Sequence, residues 1–170
     1  MRTLVWFRRD LRLGDNPAWS EATRTSTEVI PVFVIDPELW DRASHHRKAM
    51  LAANLRALDA SLAEYDGRLH VVRGRPVQLL PELADHLGTE RIHWNADYTP
   101  YARRRDDLIG SIVPSTIHHG QVVHAPGSIL TNDGGRYRVF TPFYRRWEQT
   151  PISSTPAPAA VAVRNDPGRG

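Results

Sequence analysis

Short, unbroken apolar runs alternate along this chain with longer stretches in which apolar residues recur every three or four positions. Leu4, Val5, Trp6 and Phe7 form the first run, and residues 29–35 (VIPVFVI) the second. A run with no polar alternation predicts a strand buried on both faces, as in a parallel sheet. Residues 69–72, 91–95 and 116–123 predict three further strands. Between them, helices are expected over 17–23, 45–65, 76–87 and 100–113. Pro17 suits a first helical turn, with Asp15 or Asn16 as cap. Leu51, Leu55, Leu58 and Leu62 lie on one stripe of the long helix, which Asp66 and Gly67 end, the glycine suiting a left-handed cap. Pro31 inside the second strand predicts a position whose N–H no neighbour needs.

This βαβαβαβαβ alternation predicts an α/β fold: a doubly wound, five-stranded parallel sheet of Rossmann or flavodoxin type in three α/β/α layers. The expected strand order is 3-2-1-4-5, with residues 4–7 central. The pattern breaks after Ala125. Tyr137, Val139 and Phe140 suggest a short extended piece, and Thr141 a cap for a helix reaching Trp147. The last twenty residues contain four prolines and no periodicity. Residues 1–147 are therefore read as one α/β domain and 148–170 as a Pro-rich linker or disordered tail.

Composition narrows the function classes. With 170 residues and no cysteine, neither a disulfide framework nor a thiolate metal site is available. No apolar run approaches the roughly 18 residues of a membrane helix, and Met1 is not followed by a signal-peptide core. The expected setting is cytoplasmic, without a membrane partner. The net charge of +3 is too small to argue nucleic-acid binding, and Lys48 is the only lysine among 22 basic residues. Genome composition explains that arginine bias as readily as function does.

The chemistry-bearing residues gather where strands should end. No GxGxxG, GxxxxGK[ST] or GxSxG pattern follows a strand, which argues against an NAD dehydrogenase, a P-loop NTPase or an α/β-hydrolase. The eight histidines show no HxxxH or HExxH spacing, so no metal site is expected. Arg8, Arg9, Asp10 and Arg12 follow the first strand, Asp36 closes the second, and Asp97 and Tyr98 follow the fourth. In an open α/β sheet, this carboxyl edge is the ligand-binding edge. Two readings coexist there. The charges fix loops and cap helices, or they line a polar and aromatic pocket for a planar anionic ligand. The 103–107 charge run is expected to be mostly solvated, and Trp6 and Trp94 to be core.

Three stretches, WFRRDLRLGDNPAW, NADYTPYARRRD and HAPGSILTNDGGRYRVFTPFYRRW, closely resemble the DNA photolyase/cryptochrome family, in order and over residues 3–147. The resemblance covers the amino-terminal domain alone. It implies a domain that holds a light-harvesting antenna chromophore: a deazaflavin, a folate or a flavin. It further implies that FAD and damaged DNA bind a helical carboxyl-terminal domain absent here, along with the family's electron-relay tryptophans. The chain is then expected to be a truncated product, an excised domain or half of a split protein, with a separate FAD-domain chain as a partner. No catalytic residue is expected in it, and alone it should not repair DNA. By the same resemblance, the antenna-binding residues are Arg9, Phe33, Val34, Asp36, Arg47, Leu51, Asp97, Tyr98 and Arg104. Two alternatives share this sequence pattern: a cryptochrome-type light-sensing module, and a stand-alone nucleotide- or flavin-binding domain of flavodoxin-like build.

Overall fold

The computed structural model describes residues 1–152 and 154–164. The elements run β1 (Arg2–Phe7), α1 (Pro17–Thr25), β2 (Glu28–Ile35), α2 (Pro37–Trp40), α3 (His45–Leu62), a 3-10 turn (Ala63–Tyr65), β3 (His70–Arg73), α4 (Pro76–His86), β4 (Arg91–Asn95), α5 (Pro100–Ile112), β5 (Ser115–His118), α6 (Phe140–Gln149) and β6 (Ala162–Val163). The sheet is parallel throughout, in the order β3-β2-β1-β4-β5, with β6 joined to β2.

The apolar run of β1 is divided between two cores. Leu4 and Trp6 pack with Leu80, Ala84 and Ile109 under α4 and α5. Val5 and Phe7 pack with Trp19, Ala22, Leu58 and Leu62 under α1 and α3. Successive side chains of a strand point to opposite faces, and here helices cover both. No helix among the described residues is long and apolar enough to cross a membrane.

Asn16, not Asp15, caps α1. Its side-chain oxygen accepts the Trp19 N–H at 3.2 Å and an amide hydrogen of Asn95 at 2.7 Å. Its own amide donates to the Arg12 carbonyl at 2.8 Å. Asn95 also donates to Asp10, whose other oxygen accepts the Arg8 N–H. This buried Asp10–Asn16–Asn95 knot ties the loop after β1 to the end of β4.

Several expectations are corrected. β5 stops at His118 rather than reaching Val123, because its partner strand β4 ends at Asn95, the residue paired with His118. Asp66, not Gly67, takes the left-handed conformation, at φ 53°. Gly67 serves close approach instead: a Cβ there would collide with the side chain of Val163. α6 begins at Phe140 behind Val139, with no side-chain cap from Thr141, so no extended piece forms over residues 137–140.

The expected linker or tail of 148–170 starts inside α6, and part of it joins the sheet. The Pro156 carbonyl accepts from the Ser20 hydroxyl, Ala159 N–H donates to Thr23, and Val163 is buried beside β2. The small and β-branched Ala-Val-Ala-Val stretch within a proline-rich composition drives this docking. Residues 153 and 165–170 of that expected tail lie outside the described residues. Pro31 is explained by the same edge. Arg164 N–H donates to the Val29 carbonyl and Gly74 N–H to that of Ile35. By alternation the Pro31 nitrogen faces the same side, in the gap between the end of β6 and the start of β3.

Two stability predictions follow from these contacts. Asn16→Ala removes a cap and two buried amide contacts and should cost about 2–3 kcal/mol. Asp15→Ala, at an exposed position, should stay within about 0.5 kcal/mol; urea melts of the two variants check the contrast. His93 is buried against His118 on β5, with ring nitrogens 3.0 Å apart. Burial first, then the charges of His118 and Arg91, push its pKa down to about 4. The fold thus accommodates the neutral ring. Stability should be whole above the ordinary histidine value of about 6.5 and be lost as pH falls from there through about 4. Melting temperatures across that window should fall with pH, and His93→Gln should flatten the fall.

Candidate functional site

At the carboxyl ends of β1, β2 and β4 lies a cleft of about 700 Å³, on the α4/α5 side of the sheet. Connections from β1 and β4 leave toward opposite faces there, and this switch of direction opens the crevice. Its floor is apolar: Trp6 from β1 and Val34 from β2, with Phe33, which packs into the core on the other face, at its border. Its rim is charged. Arg9 stands on the loop after β1, Asp36 ends β2, Arg47 projects from the first turn of α3, and Asp97 follows β4.

Beneath the rim, Asp106 of α5 is shared by two buried arginines. Arg8 Nη1 donates to both its oxygens at 2.9 and 2.7 Å, and Arg105 donates from Nε and Nη2 at 3.1 and 2.9 Å. Burial draws the Arg8 guanidinium below its usual pKa, with Asp106 opposing. The Arg8 and Arg105 guanidinium carbons sit 4.7 and 4.6 Å from the Trp6 ring centroid. These cation–π contacts hold the indole against the floor.

On the rim, Arg9 is paired with Asp97 at 3.7 Å. Partial burial works to raise the Asp97 pKa. The Thr99 N–H at 3.1 Å and the charges of Arg9 and Arg8 outweigh it and hold the carboxylate below its ordinary value. Asp36 caps α2, accepting the Glu38 N–H, and its other oxygen accepts the Tyr101 hydroxyl. Arg47 makes no ion pair among the described residues, which leaves one uncompensated cation at the mouth.

Of the residues expected at a binding site, the fold brings Arg9, Phe33, Val34, Asp36, Arg47 and Asp97 to this cleft. It does not bring Leu51, Tyr98 or Arg104. Leu51 packs on the opposite face, beside the Leu58 and Leu62 core. The Tyr98 ring stacks on His119 outside the cleft, its hydroxyl 2.8 Å from Nδ1. Arg104 is exposed and its Nε donates to the Pro100 carbonyl of its own helix. Tyr101 and Arg105 stand in the cleft instead. The signal for them was helical spacing: Tyr101, Arg105 and buried Ile109 are four apart, whereas Arg104 shares its stripe with Leu108, 54% exposed.

A second, larger groove of about 1140 Å³ lies on the α1 side, between Arg12, His118–His124, residues 150–152 and residues 154–156. Most of its lining residues lie in loops. The smaller cleft combines an apolar floor, opposed charges and the sheet switch point, which are the features of a small-molecule site. A flat ring system of mixed polarity fits it: aromatic residues meet its faces, and carboxylates, guanidinium groups and a free cation meet its polar edge.

Comparison with known proteins gives the lineage. The DNA photolyase family profile matches residues 3–161. The chain is 34% identical over 165 residues to a deoxyribodipyrimidine photo-lyase of Synechococcus sp. (strain ATCC 27144 / PCC 6301 / SAUG 1402/1), covering 93% of this chain and 34% of that protein. It is 36% identical over 162 residues to an uncharacterized 31.6 kDa protein of Synechococcus sp. (strain PCC 6716), covering 91% of this chain and 57% of that one. Among solved structures, it superposes with a TM-score of 0.81, at 25% identity, on an archaeal photolyase from Sulfolobus tokodaii. The match covers 98% of this chain and 39% of that one; that protein is described with two FAD molecules and the implication of a novel light-harvesting cofactor. The chain thus spans between about a third and somewhat over half the length of these relatives. With a five-strand parallel core shared with those structures and a profile match over nearly its whole length, the chain belongs to the DNA photolyase family.

Proposed function

We propose that the cleft between β1, β2 and β4 binds a planar light-harvesting chromophore, of deazaflavin, folate or flavin type, and that the chain works as the antenna domain of a light-driven DNA-repair photolyase. The observation that carries this reading is the convergence of Arg9, Asp36 and Asp97 over the Trp6 and Val34 floor at the sheet switch point, in a chain of this family. When bound, the chromophore supplies near-ultraviolet and blue absorption that no side chain here provides.

The chain's own residues bind, orient and shield. Trp6 and Val34 exclude water from one face of the ring system. Asp97, kept ionised, and Asp36 offer acceptors for ring donors, while Arg9 and Arg47 meet anionic edges. The helix dipole of α5, whose amino end opens on the cleft, favours negative charge there.

The activity of the larger photolyase is assigned to polypeptide beyond this domain. FAD, damaged DNA and pyrimidine-dimer splitting belong, in this reading, to the part of the family architecture that the chain does not span, supplied by continuation of the chain or by a separate FAD-bearing partner. The outer surface of α6 supports such a neighbour. It buries none of its residues, and Phe140, Tyr144 and Trp147 form a stacked ladder with Phe140 73% exposed. A cytoplasmic setting is part of the same reading, consistent with a chain free of cysteine.

Asp97→Arg places a cation where the rim now has a carboxylate and puts it against Arg9. It should abolish the near-ultraviolet absorption retained through gel filtration after incubation with a deazaflavin, folate or flavin, with circular dichroism unchanged. Equal retention by the native chain and the variant would contradict the assignment.

A further inference from the structure

One contact inside the cleft changes how its carboxylates are available. The Tyr101 hydroxyl, from the first turn of α5, reaches across to the end of β2 and donates to Asp36 Oδ2. Asp36 Oδ1 already accepts the Glu38 N–H at 3.1 Å. Asp36 is 6% exposed, and the Tyr101 hydroxyl bonded to it belongs to a residue that also lines the cleft. The Tyr101 ring is itself held by the Arg105 guanidinium, 5.4 Å from its centroid, which also lies over Trp6. Each Asp36 oxygen thus already holds one protein donor, and at this depth of burial the carboxylate has little room for a further donor beside them.

We propose that Tyr101 is a latch on Asp36 and a specificity-determining residue of the cleft: a planar ligand with a ring N–H gains Asp36 only in exchange for the Tyr101 hydroxyl. The inference rests on the chromophore reading above and adds the chemical feature that the latch weighs. Exchanging one hydrogen bond to a carboxylate for another is nearly neutral, so the ring N–H adds little affinity to the native chain. Without the hydroxyl, Asp36 remains buried with an unmet acceptor, and a ligand N–H relieves that penalty. Burial, and then the bond to Asp36, raise the Tyr101 pKa to about 12, so the phenol remains a donor at neutral pH.

The test is a fluorescence-quenching titration of the native chain and of Tyr101→Phe with riboflavin and with 3-methylriboflavin, which lacks the ring N–H. Riboflavin should bind the variant about tenfold more tightly than the native chain, and the methylated flavin should bind both equally. No change, or the same change for both flavins, overturns the latch. A second readout does not depend on the variant. With ring-carbon-13 tyrosine in the native chain, the Tyr101 Cζ resonance should move on saturation with riboflavin and stay in place with 3-methylriboflavin; a resonance unmoved by riboflavin also overturns it. Failure of the native chain to bind either flavin overturns the latch as a flavin discriminator; failure with a deazaflavin and a folate as well overturns the chromophore reading itself, an outcome distinct from binding without discrimination.

Discussion

Asp106 is the anion on which the ligand edge depends. It is buried, it sits on α5, and it satisfies Arg8 from the loop after β1 together with Arg105 one residue before it. A single unpaired guanidinium in that position would be expensive; two held by one carboxylate stay charged and fixed. Their planes then lie over Trp6, so an ion pair beneath the cleft also sets the orientation of its floor. The link joins sequence positions 98 residues apart and closes β1 onto α5. With the neighbouring Asp10–Asn16–Asn95 knot, it turns a charged loop into a rigid wall.

This division of labour explains why four charged residues in one short stretch behave differently. Arg8 and Asp10 are structural and buried: both Arg8 Nη groups are engaged, its Nε alone having no partner among the described residues, and Asp10 accepts from Arg8 N–H and Asn95. Arg12 holds loop carbonyls of Asp15 and Gly120. Arg9 alone turns outward over the cleft, paired loosely with Asp97. Loop fixation accounts for Arg8, Asp10 and Arg12, and the proposed ligand contact rests on Arg9.

The fold was largely legible because its signals are local and redundant. The unbroken runs of β1 and β2 demanded cover on both faces, and α1, α3, α4 and α5 provide it. Strand order followed from right-handed crossovers. The carboxyl-edge residues Arg9, Asp36 and Asp97 were legible because strand ends fix their height and edge. Positions on helices were harder, since one residue rotates the side chain by about 100°. Arg104 stands one residue out of phase with Arg105, a phase that buried Ile109 sets, and Tyr98 lies in the loop before α5, where no helical phase applies. The β6 docking was hidden by proline content, because the short Ala-Val-Ala-Val segment carries no periodicity of its own. Its seat depends on Gly67, whose lack of a side chain has meaning only once Val163 is in place.

The central claim is that the smaller, charged-rimmed cleft, and not the larger groove beside β5, receives a flat chromophore. Backbone amide chemical-shift mapping during titration with a deazaflavin or flavin measures this directly. The account predicts the largest shifts at Arg9, Asp36, Asp97 and the first turn of α5. Shifts concentrated instead at Arg12 and the His118–His124 loop would contradict it.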